Sequence, residues 1–195
     1  MKTGLSADEL RTKATFIAQS LVRTHGYEKF RLSDVAKEMN ISHAALYKYF
    51  KNKDDLLDAV NSSWLTTIDK KLARIVYDES TPGRQRIVQW FTSLYLMKRE
   101  KVLADIEPFS AFIAATADQR DFIREHLSAQ LEQLTHAVRV SYPERDAVTT
   151  AQMLLSATLP YHHPQLIQDT AETDTSEELV TLLGILLRGL ELEGK

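Results

Sequence analysis

Apolar side chains recur along this chain three and four positions apart, and no stretch alternates strictly for more than a few residues. That period predicts helices throughout and no sheet. Ser6 and Glu9 stand three apart just ahead of Leu10, Ala14, Ile17 and Leu21, the pattern of a capping box followed by one buried stripe, and Gly26 ends it. Two short runs follow, Leu32 to Met39 and His43 to Phe50, separated by Asn40, Ile41 and Ser42. Asn52 is placed to cap a long helix from Asp54 to about Asp78, with Leu57, Val60, Trp64, Ile68, Leu72 and Ile75 along one side.

Thr81 and Pro82 read as the cap and first position of the next helix, which carries Ile87, Trp90, Phe91, Leu94 and Tyr95. Val102, Ile106, Phe109 and Ile113 continue the period, with Pro108 predicting a kink or break. Ile123, Leu127, Leu131, Leu134 and Val138 form another stripe, and a further helix is expected from about Glu144 to Leu159. Pro160 and Pro164 bracket an interruption around Tyr161, His162 and His163, and Asp169 to Asp174 reads as a polar loop. Thr175 and Glu178 form a second capping box before the last helix, which ends near Leu192. The chain is therefore expected to be all-α, with about nine helices.

The two short runs are the informative part. Short helices joined by about three residues cross steeply, as in a helix-turn-helix. Leu32, Val35, Ala36 and Met39 would be buried on the first, Ile41 would plug the turn, and Leu46 and Phe50 would face inward on the second. Ser42 caps that second helix, so its free N–H groups point outward. His43, Ala44, Ala45, Tyr47, Lys48 and Tyr49 remain for the outer surface or its edges. Alanines let a helix tip approach a surface, and an alanine methyl suits a thymine methyl. Tyrosine hydroxyls and lysines suit phosphate oxygens. A core-facing helix would not present two tyrosines with three lysines so close together.

Charge supports this reading. The 195 residues carry a net charge of −3, with 44% hydrophobic and 26% charged residues. Residues 1–53 hold ten Lys/Arg against five Asp/Glu, which leaves fourteen against twenty-two in the rest. A basic quarter on an acidic body suits an anionic partner for that quarter alone. Cysteine is absent, which removes disulfide and thiolate chemistry. No apolar run approaches a bilayer span and no apolar leader opens the chain, so a cytoplasmic protein without a membrane partner is expected.

The run "ISHAALYKYFKNKDDLLDAV" resembles the TetR family of bacterial transcriptional regulators. The matching positions are Leu46, Tyr47, Tyr49, Phe50, Lys53, Leu56 and Leu57. Upstream, "HGYEKFRLSDVAKEMNIS" supplies the family's Gly-aromatic pair, its Asp-Val-Ala and its turn. The likeness covers about residues 9–69, with the motif at about 32–51. One position departs: the family often has threonine before the first short helix of the motif, where this chain has Phe30 and Arg31. Arg31 cannot cap as threonine does, though Ser33 can help; Arg31 is expected to meet phosphate instead, and Ser33 is counted with it among the DNA-binding residues. The resemblance implies that residues from Ser42 to Lys53 carry DNA contact. His43, Ala44 and Ala45 would meet base edges, Tyr47, Tyr49 and Lys53 phosphates, and Lys48 either. Tyr27 and Phe30 read as core.

The expected organisation is a three-helix DNA-binding domain over residues 6–53, joined by the long helix to a regulatory and dimerisation domain over residues 54–195. The last helix is apolar nearly all round, so both of its faces need cover. Its Leu179, Leu183, Leu186, Leu187 and Leu190, with Leu154, Leu155 and Thr158 before it, are the candidate dimer seam, and the resemblance implies the same arrangement. Trp90, Phe91, Tyr95, Phe109, Phe112 and Ile113 read first as core, and the resemblance adds a pocket for a small, mainly apolar effector. Tyr95, His126 and Gln130 would supply its polar contacts. No cofactor, metal or catalytic residue is assigned. Phosphate-loop, nucleophile-elbow and zinc-protease motifs are missing. The expected protein is a dimeric, ligand-released repressor acting on a near-palindromic operator. The rivals are a helical enzyme or a partner-binding protein using the aromatic residues.

Overall fold

The structure, a computed structural model, describes residues 6–26, 28–104 and 106–192. Tyr27 lies outside the described residues. Ten α-helices and one short 3-10 turn make up this part of the chain, with no strand among the described residues. The chain divides into two compact units. Residues 1–65 and 105–122 form the first, and residues 66–104 and 123–195 the second.

In the first unit α1 (Ala7–His25) opens on the expected capping box: Ser6 Oγ accepts from Glu9 N, and Glu9 returns a bond to Ser6 N. Next come α2 (Leu32–Glu38) and α3 (His43–Tyr47). The turn between them closes α2 by a Schellman motif. Ile41 N–H reaches Ala36 O and Asn40 N–H reaches Lys37 O, with Asn40 left-handed at φ 55°. Leu10, Ala14, Ala18, Val22, Phe30, Val35, Ala36, Leu46 and Phe50 form the core beneath, and Ile41 packs on it. The inner face of α1 is set by Ala14, Ala18 and Val22, while Ile17 and Leu21 lie only partly buried at its edge. Asn52 Oδ1 accepts from Asp55 N and so caps α4 (Lys53–Val76), as its position predicts.

The break expected around Pro108 falls just ahead of it, between α5 (Gly83–Ala104) and α6 (Ile106–Ala117). Pro108 itself falls in the first turn of α6, where its missing N–H has no partner to lose. A second left-handed residue, Gln119, closes α6 with Arg120 N–H on Ala115 O. Trp64 packs edge-on against Phe112 (5.2 Å between ring centres) and Phe109 (6.2 Å), so this aromatic group belongs to the first unit.

The second unit holds α5 (Gly83–Ala104), α7 (Asp121–Ser141), which begins at the unit boundary, α8 (Ala147–Ala157), α9 (Pro164–Thr170) and α10 (Ser176–Leu192). Three capping expectations fail locally. Thr81 Oγ1 donates to Asp78 rather than capping α5, and Thr175 Oγ1 donates to the Tyr95 hydroxyl rather than forming a capping box. Asp146 caps α8 through Thr149 N, so that helix starts later than Glu144. Between the interruption at Pro160–Pro164 and the predicted polar loop lies α9, started by Pro164 and anchored by buried Ile167, whose last residues Asp169 and Thr170 fall within that loop.

Candidate functional site

Ser42 Oγ accepts from Ala45 N at 3.1 Å, which fixes the first turn of α3. His43, Ala44, Tyr47 and Lys48 are exposed on it, while Leu46 and Phe50 are fully buried. His43 and Tyr47, one turn apart, meet edge to face at 4.6 Å, so two outward side chains hold one another in position. Ala45 and Tyr49 lie at the edge. Arg31 and Ser33 are exposed at the start of α2, and Arg31 makes no side-chain cap. Arg11 ties α1 to the end of α3. Its guanidinium donates to Tyr49 O at 2.8 Å and lies 4.7 Å from the Phe50 ring centre. Lys53 is half-buried, with its ammonium 5.9 Å from the Phe30 ring centre. The predicted DNA-facing residues thus lie on or beside α2 and α3, most of them with exposed side chains.

The predicted ligand residues are divided. Phe109, Phe112 and Ile113 lie in the first unit with Trp64, whereas Trp90, Phe91, Tyr95, His126 and Gln130 lie in the second. In the second unit the α7 stripe holds at Ile123, Leu134 and Val138, which are buried, and departs at Leu127. Leu127 is 52% exposed, and His126, Gln130 and Gln133 are buried instead. His126 Nδ1 meets Asp69 Oδ1 at 2.7 Å, and its Nε2 meets Gln130 Nε2 at 2.7 Å. A nitrogen that faces an amide N–H must accept, so His126 is neutral with its proton on Nδ1. Burial drives its pKa below the ordinary histidine value, which agrees. Gln130 Oε1 is left buried without a partner. Gln133 accepts from Trp90 Nε1 at 2.9 Å and donates to Asp69 O. Tyr95 joins α5 to the start of α10, with its hydroxyl accepting from Thr175 N.

Lys98 is the residue that sequence reasoning missed. It is buried and donates to His162 O at 2.8 Å. Burial lowers its pKa to about 8. The available signal was its place on the stripe of Ile87, Trp90, Phe91, Leu94, Tyr95 and Val102, all buried. His162 is buried beside it, and its Nε2–H donates to Leu155 O. Burial, with the nearby Lys98 charge, holds its pKa down to about 4. Among the described residues no group of three or more His, Cys, Asp or Glu side chains is arranged to hold a metal.

The predicted seam also changes. Leu154, Thr158, Leu179, Leu183 and Leu187 are buried within the single chain, with α10 lying on α5. They have almost no surface left for a partner. Leu155, Leu186 and Leu190 are half-buried. The exposed apolar side chains on α8 and α10 are Val148, Met153, Val180, Ile185 and Leu192, and Gly184 and Gly189 face open space.

A capped recognition helix raised on its own hydrophobic core defines a helix-turn-helix DNA-binding protein. Residues 18–60 match the sequence model of the bacterial regulatory proteins of the tetR family, and residues 83–183 match that of the tetracyclin repressor-like C-terminal domain. The chain belongs to the TetR family and is a DNA-binding transcriptional regulator. It is similar to an uncharacterised helix-turn-helix transcriptional regulator of Haemophilus influenzae, 26% identical over 97 residues that span 47% of this chain and 49% of that protein. It is also 28% identical to the nucleoid occlusion factor SlmA of Vibrio campbellii over 150 residues, 71% of this chain and 74% of that one. The fold matches a candidate transcriptional regulator from Pseudomonas aeruginosa PAO1, with TM-score 0.68, 14% identity and coverage of 97% and 93%. It matches BioQ in complex with its double-stranded DNA operator (TM-score 0.55, 24% identity, coverage 95% and 98%). It matches the SmeT–triclosan complex as well (TM-score 0.64, 16% identity, coverage 92% and 90%). Among the described residues no helix is long and apolar enough to cross a membrane.

Proposed function

We propose that the chain is a cytoplasmic homodimeric repressor that binds a near-palindromic operator and is released by a small, mainly apolar effector. Residues 6–53 serve as the DNA-binding domain and residues 54–195 as the regulatory and dimerisation domain. The observation that carries this reading is the exposed tip of α3, with His43, Ala44, Tyr47 and Lys48 raised over the closed core of Leu46 and Phe50. His43, Ala44 and Ala45 approach base edges. Arg31, Ser33, Ser42, Tyr47, Tyr49 and Lys53 approach the backbone, and Lys48 reaches either. A single recognition helix reads one half-site, and two-fold pairing supplies the second.

The pairing surface is the outward apolar set on α8 and α10, where Ile185 is 56% and Met153 66% exposed. Leu155, Leu186 and Leu190 flank it, and Gly184 and Gly189 allow close approach. That BioQ is seen with operator DNA and SmeT with triclosan supports a fold that serves both partners. The effector favours a dimer state in which the two α3 helices no longer match adjacent major grooves. By linkage, operator DNA weakens effector binding by the same factor.

The test is an anisotropy titration of the purified protein with DNA from upstream of its own gene, at several salt concentrations. Saturable binding as a dimer, lost steeply with salt, is expected. Binding no tighter than to random DNA would remove the operator-specific reading.

A further inference from the structure

Lys98 sits where a charge is costly. It is 3% exposed, and its ammonium has three donors, of which one is used, toward His162 O at 2.8 Å. Among the described residues no carboxylate stands within ion-pair distance of it. Asp69 is the acid whose field it feels. That carboxylate is already held at 2.7 Å by His126 Nδ1 and keeps 20% of its side chain in solvent, so it does not complete the lysine's coordination. Buried charges are ordinarily paired, and an unpaired one is among the most unfavourable features a core carries. Trp90, Phe91 and Leu94 share the buried stripe of α5 with Lys98, and the Phe91 ring lies 6.5 Å from the His162 ring.

We propose that Lys98 is the anchor for the acidic group of the effector, a single carboxylate on an otherwise apolar acyl or aryl body. The proposal rests on the ligand-release reading and gives its chemistry. A monoanion is favoured over a phosphate for two reasons. His162 is neutral and brings no second positive charge, and the field of Asp69, which reaches Lys98, disfavours a second negative one. Phe91 and Trp90 suit the apolar remainder. An acid on an apolar chain is thereby preferred to the neutral compound of the same shape.

The experiment uses matched pairs: straight-chain carboxylates from hexanoate to tetradecanoate against the corresponding alkanols, and 2-naphthoate against naphthalene-2-carboxamide. Each is added to the full-length protein, and both the thermal midpoint and operator binding are read. At least one carboxylate should raise the midpoint and release the operator, with its neutral counterpart about tenfold weaker or more. Lys98→Met should bring the carboxylate down to the level of the neutral compound and leave the neutral compound unchanged. The wild-type ratio within each pair stands as the measurement even where the variant folds poorly. Equal binding within every pair, failure of all the carboxylates, or undiminished binding by Lys98→Met overturns the proposal. A neutral compound that releases the operator from wild type and variant alike sinks the anchor and leaves ligand release standing. Carboxylates that bind through Lys98 without moving the operator do the reverse.

Discussion

At the level of single residues, the two ends of the chain use side chains in opposite ways. On α3, His43 and Tyr47 stand in water with ring centres 4.6 Å apart. His43→Ala removes one half of that pair and, on the proposed reading, a base-edge contact. Operator affinity should fall by roughly 1–3 kcal/mol per half-site, with preference relaxed at one base pair. Binding-site selection that returns the same operator preference for both proteins would count against it. Lys53→Ala, at a residue assigned to the DNA backbone, should weaken all DNA alike and lower the slope of log affinity against log salt by about one per subunit. His162 behaves as a core residue. Its pKa in the folded chain is held to about 4 against an ordinary 6.5, so the unfolded chain takes up a proton first as pH falls. Stability linked to this group is present above pH 6.5 and is lost as the solution is acidified toward pH 4. In urea melts at the two ends of that window, His162→Gln, which keeps a donor for Leu155 O, should lose less stability on acidification than wild type. Parallel losses would show that other groups dominate the acid response.

At the level of elements, what the sequence made legible was set by local chemistry. Ser6, Ser42 and Asn52 cap the helices their positions announce, because each satisfies free N–H groups within three residues. Thr81 and Thr175 instead orient their hydroxyls to donate to Asp78 and Tyr95, and neither accepts from the first turn of its helix. Tyr95 is eighty positions from Thr175, a separation that no local pattern carries. The same limit hid the inner face of α7: Leu127 looks like core by type, but His126, Gln130 and Gln133 find partners in Asp69 and Trp90 and are buried in its place. The α2–α3 turn was legible as a turn, but not as a Schellman motif with Asn40 left-handed. Asn40→Val puts a branched side chain at φ 55° and should cost about 1–2 kcal/mol, whereas Asn40→Gly should be close to neutral. Denaturant midpoints of the two variants provide the check, and equal losses would mean the side chain rather than the backbone matters there.

For the whole molecule, the position of α10 decides which leucines are available for pairing. Leu183 is fully buried and Ile185 is 56% exposed. Leu183→Glu places a carboxylate in the protomer's own core and should cost about 3 kcal/mol or more in folding. Ile185→Glu should leave the helical content intact and shift the protein from dimer to monomer in sedimentation. It should weaken operator binding only through that loss of pairing. A stable Ile185→Glu dimer would place the seam elsewhere. The apolar all-round pattern of α10 implied two surfaces needing cover; only the packing on α5 shows which residues the protomer covers itself.

The chain has two tryptophans, Trp64 and Trp90, and the fold puts one in each unit. Trp90 is fully enclosed and hydrogen-bonded to Gln133, while Trp64 keeps part of its surface in solvent beside Phe109 and Phe112. The molecule therefore carries its own pair of fluorophores. Trp90 should emit at shorter wavelength and resist iodide, and Trp64 should emit further to the red and be quenched. Trp64→Phe and Trp90→Phe isolate the two signals, so one denaturation series on each variant reads whether the units melt together or in sequence. In the Trp64→Phe protein, the remaining indole shares α5 with Lys98, so its emission becomes an optical record of occupancy when a candidate effector is added.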